Sequence, residues 1–517
     1  MTEKCMDDLK YFWLPGRLVL DELLEEFAQL YSEHYGRWSP QAPSKQGEHI
    51  KLSRNRLREW LCEDSAVYYA TGRGQVVGYA IAIRKLIKKY GIISWVTQLV
   101  VHKDFRNRGV AKRLLFSIWG LSDDFAWGIL SANPYAIRAL EKATRRRSVL
   151  IRIHKNIRKI MSIGAELLPY IDRESEFVVT IDEARVNTKF FVDHSDINEM
   201  LERVVAEGVP WNLGGIPEGW EWIAFTFRDQ PQLTLSSQEI ETMIKTSDDI
   251  AKQAYARMNL SGQSWMRHTK EEVEFIIESC GLKPGMSVID MGCGIGRHAN
   301  LLAEYGIMVT GIDYVDSNIA AARANAPVGS CATFVLGDCR EIDVKSNDAD
   351  NPYDAAICLY DVIGSYVSLE SNQRILDNLA KHLKQGGMAV ISVMNFELTN
   401  AEAKYKFSFS QEPNRLLELA PCSIMEKTGD VFHSEYLLLD EDEHIVYRRE
   451  QFTDGMDLPK ELVVRDRRFS MDEITQMCQH AGLKVLQAKY VSASNWKRSL
   501  NQLDHHAKEI LLVCERE

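Results

Sequence analysis

The chain has 517 residues, 45% hydrophobic and 26% charged, and a formal net charge of −11. At about 100–200 residues per domain this length predicts roughly two to four domains, and the globular composition excludes a collagen, a coiled-coil rod or a disordered chain. No apolar run approaches the roughly 18–20 residues of a membrane span, the start MTEKCMDDLK has no apolar core behind a basic stretch, and no C-x-x-C pair occurs, so a reduced, cytoplasmic chain without a metal centre is expected.

Residues 18–33 (LVLDELLEEFAQLYSE) place apolar side chains at helical spacing. Residues 66–72 and 75–84 read as strands joined by a Gly-containing turn at Thr71–Gly74, and 92–102 as a third strand. Gly109 then precedes a predicted helix, 126–132 reads as a strand, and Pro134 opens the next helix from its first turn. In 161–245, FVVTI, TKFFVD and WIAFTF read as strands and Ser195–Glu207 as a helix capped by Ser195. That segment, with Trp211 and Trp220, either completes the first domain or stands alone. From about 246 onward, strands near 286–290, 308–312, 332–336, 354–359 and 388–394 alternate with helical stretches, which implies a mostly parallel, doubly wound sheet. Residues 433–452 read as a hairpin turning at DEDE, and EILLVCER closes the chain as a strand.

Between the strand at 92–102 and the helix after Gly109 lies QLVVHKDFRNRGVAKRLL, with Arg106-x-x-Gly109-x-Ala111. Gly109 permits close backbone approach, and turn N–H groups followed by a helix N-terminus suit a pyrophosphate. With Asn133 ending the next strand, this stretch resembles the GNAT family of acyl-CoA-dependent acetyltransferases over roughly residues 18–145. The resemblance implies that Leu99, Val100 and Val101 pair with a pantetheine arm. It also implies that Arg106, Arg108, Gly109, Val110 and Ala111 cradle the pyrophosphate of acetyl-CoA or another acyl-CoA, and that Asn133 faces the coenzyme. The family's usual Tyr, which protonates the leaving thiolate, is replaced by Leu140; Tyr135 is the substitute acid one turn away. Glu63 and Asp64 are candidate bases because they border the strands.

The second motif is VIDMGCGIGRH, a strand followed by Asp290-x-Gly292-x-Gly294-x-Gly296. The glycines let a ligand lie against the backbone, and Asp313, at the end of the next strand, is placed to accept ribose hydroxyls. Gly337-Asp338-Cys339 follows the third strand, YDAAICLYDVIGSY the fourth, and LKQGGMAVIS leads into the fifth. In this order the motifs resemble the class I S-adenosylmethionine-dependent methyltransferases over roughly 248–517. The resemblance implies a coenzyme site of Asp290, Gly292, Cys293, Gly294, Gly296, Asp313, Tyr314, Asp338, Cys339 and Leu359, with Trp265–His268 as a closing segment. Tyr360, Asp361 and Tyr366, at the exit of the fourth strand, are candidates to bind or deprotonate the acceptor; Asp361 as a plain helix cap is the structural alternative.

The fourth strand reads LYDV, not the [ND]-P-P-[YFW] box of amino-methylating DNA enzymes, and Pro421-Cys422 falls after the fifth strand. A small molecule or peptide is therefore the expected acceptor, under an insertion at 397–470 whose lining candidates are Phe396, Tyr405, Phe407, Phe409 and Tyr436. Charge divides the chain: residues 51–160 hold 23 Lys/Arg against 7 Asp/Glu, while 161–517 hold 34 against 57. The basic part suits a phosphorylated coenzyme, with structured RNA as the alternative partner.

The expected protein is thus an α/β multidomain chain. Residues 1–160 form a GNAT-like mixed α/β acyltransferase domain, 161–245 an accessory or linking region, and 246–517 a Rossmann-like methyltransferase domain. A bifunctional transferase acting on one scaffold is the leading reading. A methyltransferase whose N-terminal half only binds substrate or acyl-CoA is the second, and an RNA-modifying enzyme the third.

Overall fold

The computed structural model describes residues 9–61, 65–88, 90–119, 122, 124–168, 170–245, 264–344, 352–420, 434–453, 459–492 and 495–517. The chain divides into two compact units, Met1–Ile250 and Ala251–Glu517.

The N-terminal unit contains β1 (Lys10–Pro15), β2 (Ser65–Gly72), β3 (Gln75–Ile87), β4 (Gly91–Val101), β5 (Ala126–Ser131), β6 (Phe177–Val179), β7 (Ala184–Phe190) and β8 (Gly219–Phe227). These form one eight-stranded sheet, ordered β1-β2-β3-β4-β5-β8-β7-β6. Around it run α1 (Asp21–His34), α2 (Arg54–Trp60), α3 (Val110–Trp119), α4 (Pro134–Thr144), α5 (Leu150–Leu167) and α6 (Ile197–Ala206). The β2–β3 hairpin closes through Arg73 and Gly74, both at positive φ, the backbone a two-residue hairpin turn demands.

Only the β4–β5 pair is parallel, and it is short: Ile93–Val96 against Ala126–Ile129. The cause is a bulge. Ile81 pairs with Gln98 and Ala82 with Val96, so Thr97 is an extra residue in β4. A bulged strand bends away from its neighbour, and β4 and β5 part beyond Val96.

Three details differ from the sequence expectation. Residues 188–193 are not a strand as a whole, because β7 ends at Phe190. Ser195 does not cap α6; Asp196 holds the cap position without a side-chain bond, and the Ser195 N–H donates to Asp193 instead. The first strand, KYFWLP, lacks clean alternation and was not anticipated. Strands β6–β8 from 161–245 extend the same sheet as β1–β5.

The C-terminal unit has β9 (Ser287–Met291), β10 (Met308–Asp313), β11 (Ala332–Leu336), β12 (Tyr353–Cys358), β13 (Leu383–Met394), β14 (Lys406–Phe407), β15 (Leu437–Asp440), β16 (Ile445–Thr453), β17 (Pro459–Arg467), β18 (Leu483–Ser492), β19 (Asn495–Leu500) and β20 (Glu509–Arg516). Its helices are α7 (Thr269–Cys280), α8 (Arg297–Glu304), α9 (Asp316–Ala324), α10 (Leu369–His382), α11 (Phe396–Glu402) and α12 (Met471–His480). The main sheet runs β11-β10-β9-β12-β13-β20-β18-β19. The first five strands are parallel and β20 is antiparallel to both neighbours. All five β9 residues are buried, as expected of a parallel strand covered on both faces. Val288 packs into one core and Ile289 into the other. The strand order reverses between β9 and β12, the place where open α/β sheets hold ligands. A separate four-stranded sheet, β14-β15-β16-β17, comes from the insertion.

Gly128 on β5 faces the Phe225 ring, and a Cβ there would collide with it. Overpacking of this kind costs about 1–3 kcal/mol. Gly128→Ala is expected to lower the thermal transition of the N-terminal unit by several degrees, at roughly 2–4 °C per kcal/mol; an unchanged melting curve would show that the ring relaxes freely.

Candidate functional site

In the C-terminal unit the chain leaves β9 through a glycine turn into α8. Gly292, Gly294 and Gly296 all have positive φ. A Cβ at Gly292 would strike Val362, one at Gly296 would lie 2.9 Å from Ala322 and Phe334, and the space at Gly294 is open. The turn is bolted to the end of β10. The N–H groups of Gly292 and Cys293 both donate to the Ile312 carbonyl at 2.8 Å, and the Gly294 N–H donates to Asp313 Oδ2 at 2.9 Å. Asp313 Oδ1 accepts from the Val315 N–H at 2.8 Å and from Asn318 at 3.4 Å. Burial raises the Asp313 pKa against those three bonds. Carboxylate oxygens accept more than one donor each, so Asp313 retains capacity for a ligand.

Asp290 is 3% exposed, its Oδ2 has no hydrogen-bond partner, and burial pushes its pKa up to about 7. An unpartnered buried carboxyl oxygen is costly.

The other strand exits converge on this crevice. Burial, Tyr366, Asp313, Asp361 and Asp338, in that order, raise the Tyr314 hydroxyl pKa, which places these side chains around one recess. Tyr314 itself is exposed, and Leu359 and Cys339 are buried. The Cys339 thiol is pushed up to about 12 by burial. Asp338 is engaged by its neighbour: Arg340 Nη2 lies 2.6 Å from its Oδ2, and the same guanidinium stacks 4.3 Å from the Tyr366 ring.

Tyr360 is a non-glycine residue at φ 64°, a conformation bulky residues avoid. Its N–H donates to Ser392 Oγ at 2.6 Å and its hydroxyl donates to Glu272. Glu272, 1% exposed, also accepts from Arg297 at 2.7 Å and meets His298 Nε2 at 2.8 Å. Burial acts on Glu272 most strongly and upward, but the His298 bond, the Arg297 charge and the Tyr360 bond together hold it below its ordinary value. Burial pushes His298 down to about 4, so its ring is neutral. The Tyr360 side chain is therefore tied into a buried network, and its strained backbone presents Asp361. The Asp361 side chain is solvent-accessible, yet its pKa is raised, first by burial and then by Asp466, against Arg448 and Arg468. The charges acting on it come from the insertion, where Arg448 and Arg468 lie 2.8 Å and 2.7 Å from Asp466.

The N-terminal unit has its own cleft, of about 2020 Å³, where β4 and β5 part. Its lining includes Leu99, Val100, Val101, Arg106, Arg108, Gly109, Val110, Ala111, Asn133 and Tyr135. Asn107 and Gly109 have positive φ, no atom crowds the Gly109 Cβ position, and α3 starts at Val110 with the unsatisfied first-turn N–H groups of any helix. Arg106 is less free than the sequence suggests: Nε donates to the Val101 carbonyl at 3.2 Å and Nη2 to that of His34. Arg108 lies 5.6 Å from the Phe105 ring. Asn133 caps α4, accepting from the Tyr135 N–H at 2.9 Å, and the Tyr135 hydroxyl meets Arg203. Leu140 is wholly buried. Glu63, Asp64 and Pro421-Cys422 lie outside the described residues.

Residues 288–387 match the family of methyltransferase domains. That match lies wholly within the C-terminal unit. The chain is 36% identical over 143 residues to the ubiquinone biosynthesis O-methyltransferase of Rickettsia conorii, covering 28% of this chain and 46% of that protein. It is 38% identical over 110 residues to the Rickettsia canadensis protein of the same name, covering 21% and 43%. The chain thus spans about half the length of these relatives. Among solved structures, the CcbJ methyltransferase from Streptomyces caelestis aligns at 18% identity with a TM-score of 0.37, over 52% of this chain and 96% of that one. The glycopeptide N-methyltransferase MtfA with sinefungin aligns at 17% and 0.32, over 48% and 87%.

The residues of the C-terminal unit fit S-adenosylmethionine in their chemistry. The open glycine turn, the orphaned Asp290 oxygen and the spare capacity of Asp313 would suit a ligand rich in donors, such as an ammonium group and two ribose hydroxyls. Sequence reasoning missed Glu272, Arg297, His298, Arg448 and Arg468. Arg297 directly follows the glycine motif, and Glu272 interrupts an apolar helix face, which were the available signals. Among the described residues no group of His, Cys, Asp or Glu is arranged to hold a metal, and no helix is long and apolar enough to cross a membrane.

Asp290 yields a pH test. Its folded pKa lies above the ordinary 3.8, so the folded state binds the extra proton, and stability is lost as pH rises from about 4 to about 7. Asp290→Asn should leave melting of the methyltransferase domain nearly unchanged at pH 4 and raise it at pH 8, while weakening the coenzyme. An equal change at both pH values would contradict the buried, unpaired carboxyl.

Proposed function

We propose that the C-terminal unit transfers a methyl group from S-adenosylmethionine to a nitrogen or oxygen of a small molecule or peptide. We further propose that the N-terminal unit binds an acyl-CoA and transfers its acyl group to an amine. The observation that carries the first reading is the clamp of Gly294 N–H on Asp313, with the unpartnered Asp290 oxygen beneath it. Asp313 would hold the ribose hydroxyls and Asp290 the coenzyme's ammonium group. S-adenosylmethionine supplies an electrophilic methyl on a sulfonium sulfur, so in-line positioning provides much of the rate. Asp361, reachable by solvent with a raised pKa, would accept the acceptor's proton or hydrogen-bond it. Tyr366, its pKa pushed up to about 12, chiefly by burial, stays neutral and would donate a hydrogen bond. The relatives named ubiquinone biosynthesis O-methyltransferase favour a hydroxyl acceptor.

The acyl-CoA reading rests on a different observation. The bulge at Thr97 opens β4 from β5, leaving the Leu99–Val101 stretch without a β5 partner beside a glycine loop and a helix start, with the Val101 carbonyl taken by Arg106. Such a gap suits an amide-rich pantetheine arm followed by phosphates. The opened strand pair and the glycine loop support the GNAT-like reading of this segment. A cleft that only binds acyl-CoA is the competing reading. The complete burial of Leu140 favours it, because no side chain at that position reaches a leaving thiolate.

Calorimetric titration of the full chain separates these claims. Asp313→Ala should weaken S-adenosylmethionine by about 10–100-fold, the loss of charge-assisted hydrogen bonds, and leave acetyl-CoA unaffected. Gly109→Val, strained at φ 79°, should do the reverse. Absence of S-adenosylmethionine binding would refute the methyltransferase reading, and absence of acetyl-CoA binding the acyl-transfer reading.

A further inference from the structure

We propose that Glu221 is the general base of the N-terminal cleft, taking a proton from a primary ammonium group seated among Tyr31, Tyr35 and Tyr170. This assignment rests on the acyl-transfer reading above.

Glu221 lies on β8, one residue beyond the Ser131–Trp222 pair that ends the β5–β8 ladder. It therefore stands at the end of β5, beside the gap opened by the Thr97 bulge. It lines the cleft together with Tyr31, Tyr35, Tyr170, Thr97 and Thr188, and it is 7% exposed. The groups facing it come from three segments: Thr188 of β7 hydrogen-bonds it, Tyr31 projects from α1 and Tyr35 from its C-terminal cap, and Tyr170 from the segment after α5. All three tyrosine hydroxyls are raised in pKa, mainly by burial, and each also feels the Glu221 charge. They remain neutral throughout the physiological range. Tyr31 and Tyr35 stack at 4.2 Å, and the Tyr170 hydroxyl reaches the Thr97 carbonyl at 3.5 Å. The cleft floor thus joins a carboxyl, three tyrosines and the bulged strand. A buried carboxylate beside neutral hydroxyls that can accept hydrogen bonds is an environment for an alkylammonium ion.

Burial pushes the Glu221 pKa up to about 7, where a base both exists as carboxylate and holds a proton well. In the step it serves, the carboxylate takes one proton from the ammonium group. The freed nitrogen attacks the thioester carbonyl and a C–N bond forms. As the adduct collapses, the C–S bond breaks, and the second nitrogen proton goes to the departing thiolate sulfur. Glu221 then returns its proton to water. No acid at Leu140 is required.

The test uses the full chain, acetyl-CoA, and three amine probes: phenethylamine, putrescine and a tripeptide with a free N-terminus. In wild type, at least one amine should bind by calorimetry, tighter at pH 8 than at pH 6. The same amine should drive release of free thiol from acetyl-CoA. In Glu221→Gln, an isosteric change, acetyl-CoA affinity should stay within about twofold. The pH dependence of amine binding should vanish, and thiol release should fall by about 10²-fold or more, the usual worth of a general base. Glu221→Asp should retain the pH dependence with a reduced rate. Failure of every amine to bind wild type, or Glu221→Gln behaving as wild type, overturns the assignment. Failure of acetyl-CoA alone to bind wild type overturns the acyl-transfer reading while amine binding still reports on Glu221.

Discussion

The geometry of the C-terminal unit depends on one buried carboxylate. Asp313 receives the Gly294 N–H on one oxygen and the Val315 N–H on the other. It thereby joins the loop after β9 to the loop after β10. With the Ile312 carbonyl, which accepts from the Gly292 and Cys293 N–H groups, this double acceptance fixes the separation of the glycine turn from the end of β10. With it, the turn stays open on the side where Gly294 has no neighbour. The rest of the crevice is arranged against this fixed point: the β12 exit packs Val362 onto Gly292, and Tyr360 is strained and pinned so that Asp361 enters the recess. The unit spends stability there. Asp290 and Glu509 are buried carboxyls with raised pKa values and an orphaned oxygen each. Uncompensated groups of that kind collect where function needs them.

The N-terminal unit uses backbone geometry rather than charge. One extra residue, Thr97, shortens the only parallel pairing in its sheet to four residue pairs. The gap that results is the cleft. Everything placed along it follows: the strand end at Leu99–Val101, the loop at Asn107–Gly109, the capped start of α4 at Asn133, and Glu221 across the gap. Arg106 contributes to this shape by bracing the end of β4 against α1 through two carbonyls, which limits its share in binding phosphate.

Much of this was legible in the sequence because the informative residues were local. A glycine run after an apolar strand, with an acid at the next strand end, encodes a tight turn from spacing alone, while its reading as a coenzyme site is what the family resemblance implies. The strands expected near 308–312 and 332–336 coincide with β10 and β11 because short apolar, β-branched stretches alternate there with helical ones. Glu221 was invisible for a physical reason. In GWEWIAFTF it looks like one polar break in a core strand, and only the pairing of β8 with β5 shows that it faces a cleft. Glu272 and Arg297 are 25 residues apart, and their joint role with Tyr360 is set by tertiary packing. The bulge at Thr97 leaves no compositional trace. Ser195 misled because the helix begins one residue later than expected, at Ile197, which puts Asp196 in the cap position.

The most direct measurement is hydrogen–deuterium exchange of the full chain with and without S-adenosylmethionine. The account predicts slowed exchange confined to the amides of residues 290–297 and 313–318 and to the exits of β11 and β12, with the N-terminal unit unchanged. Protection elsewhere, or none at the glycine turn under saturating coenzyme, would contradict the claim that this clamp is the coenzyme site.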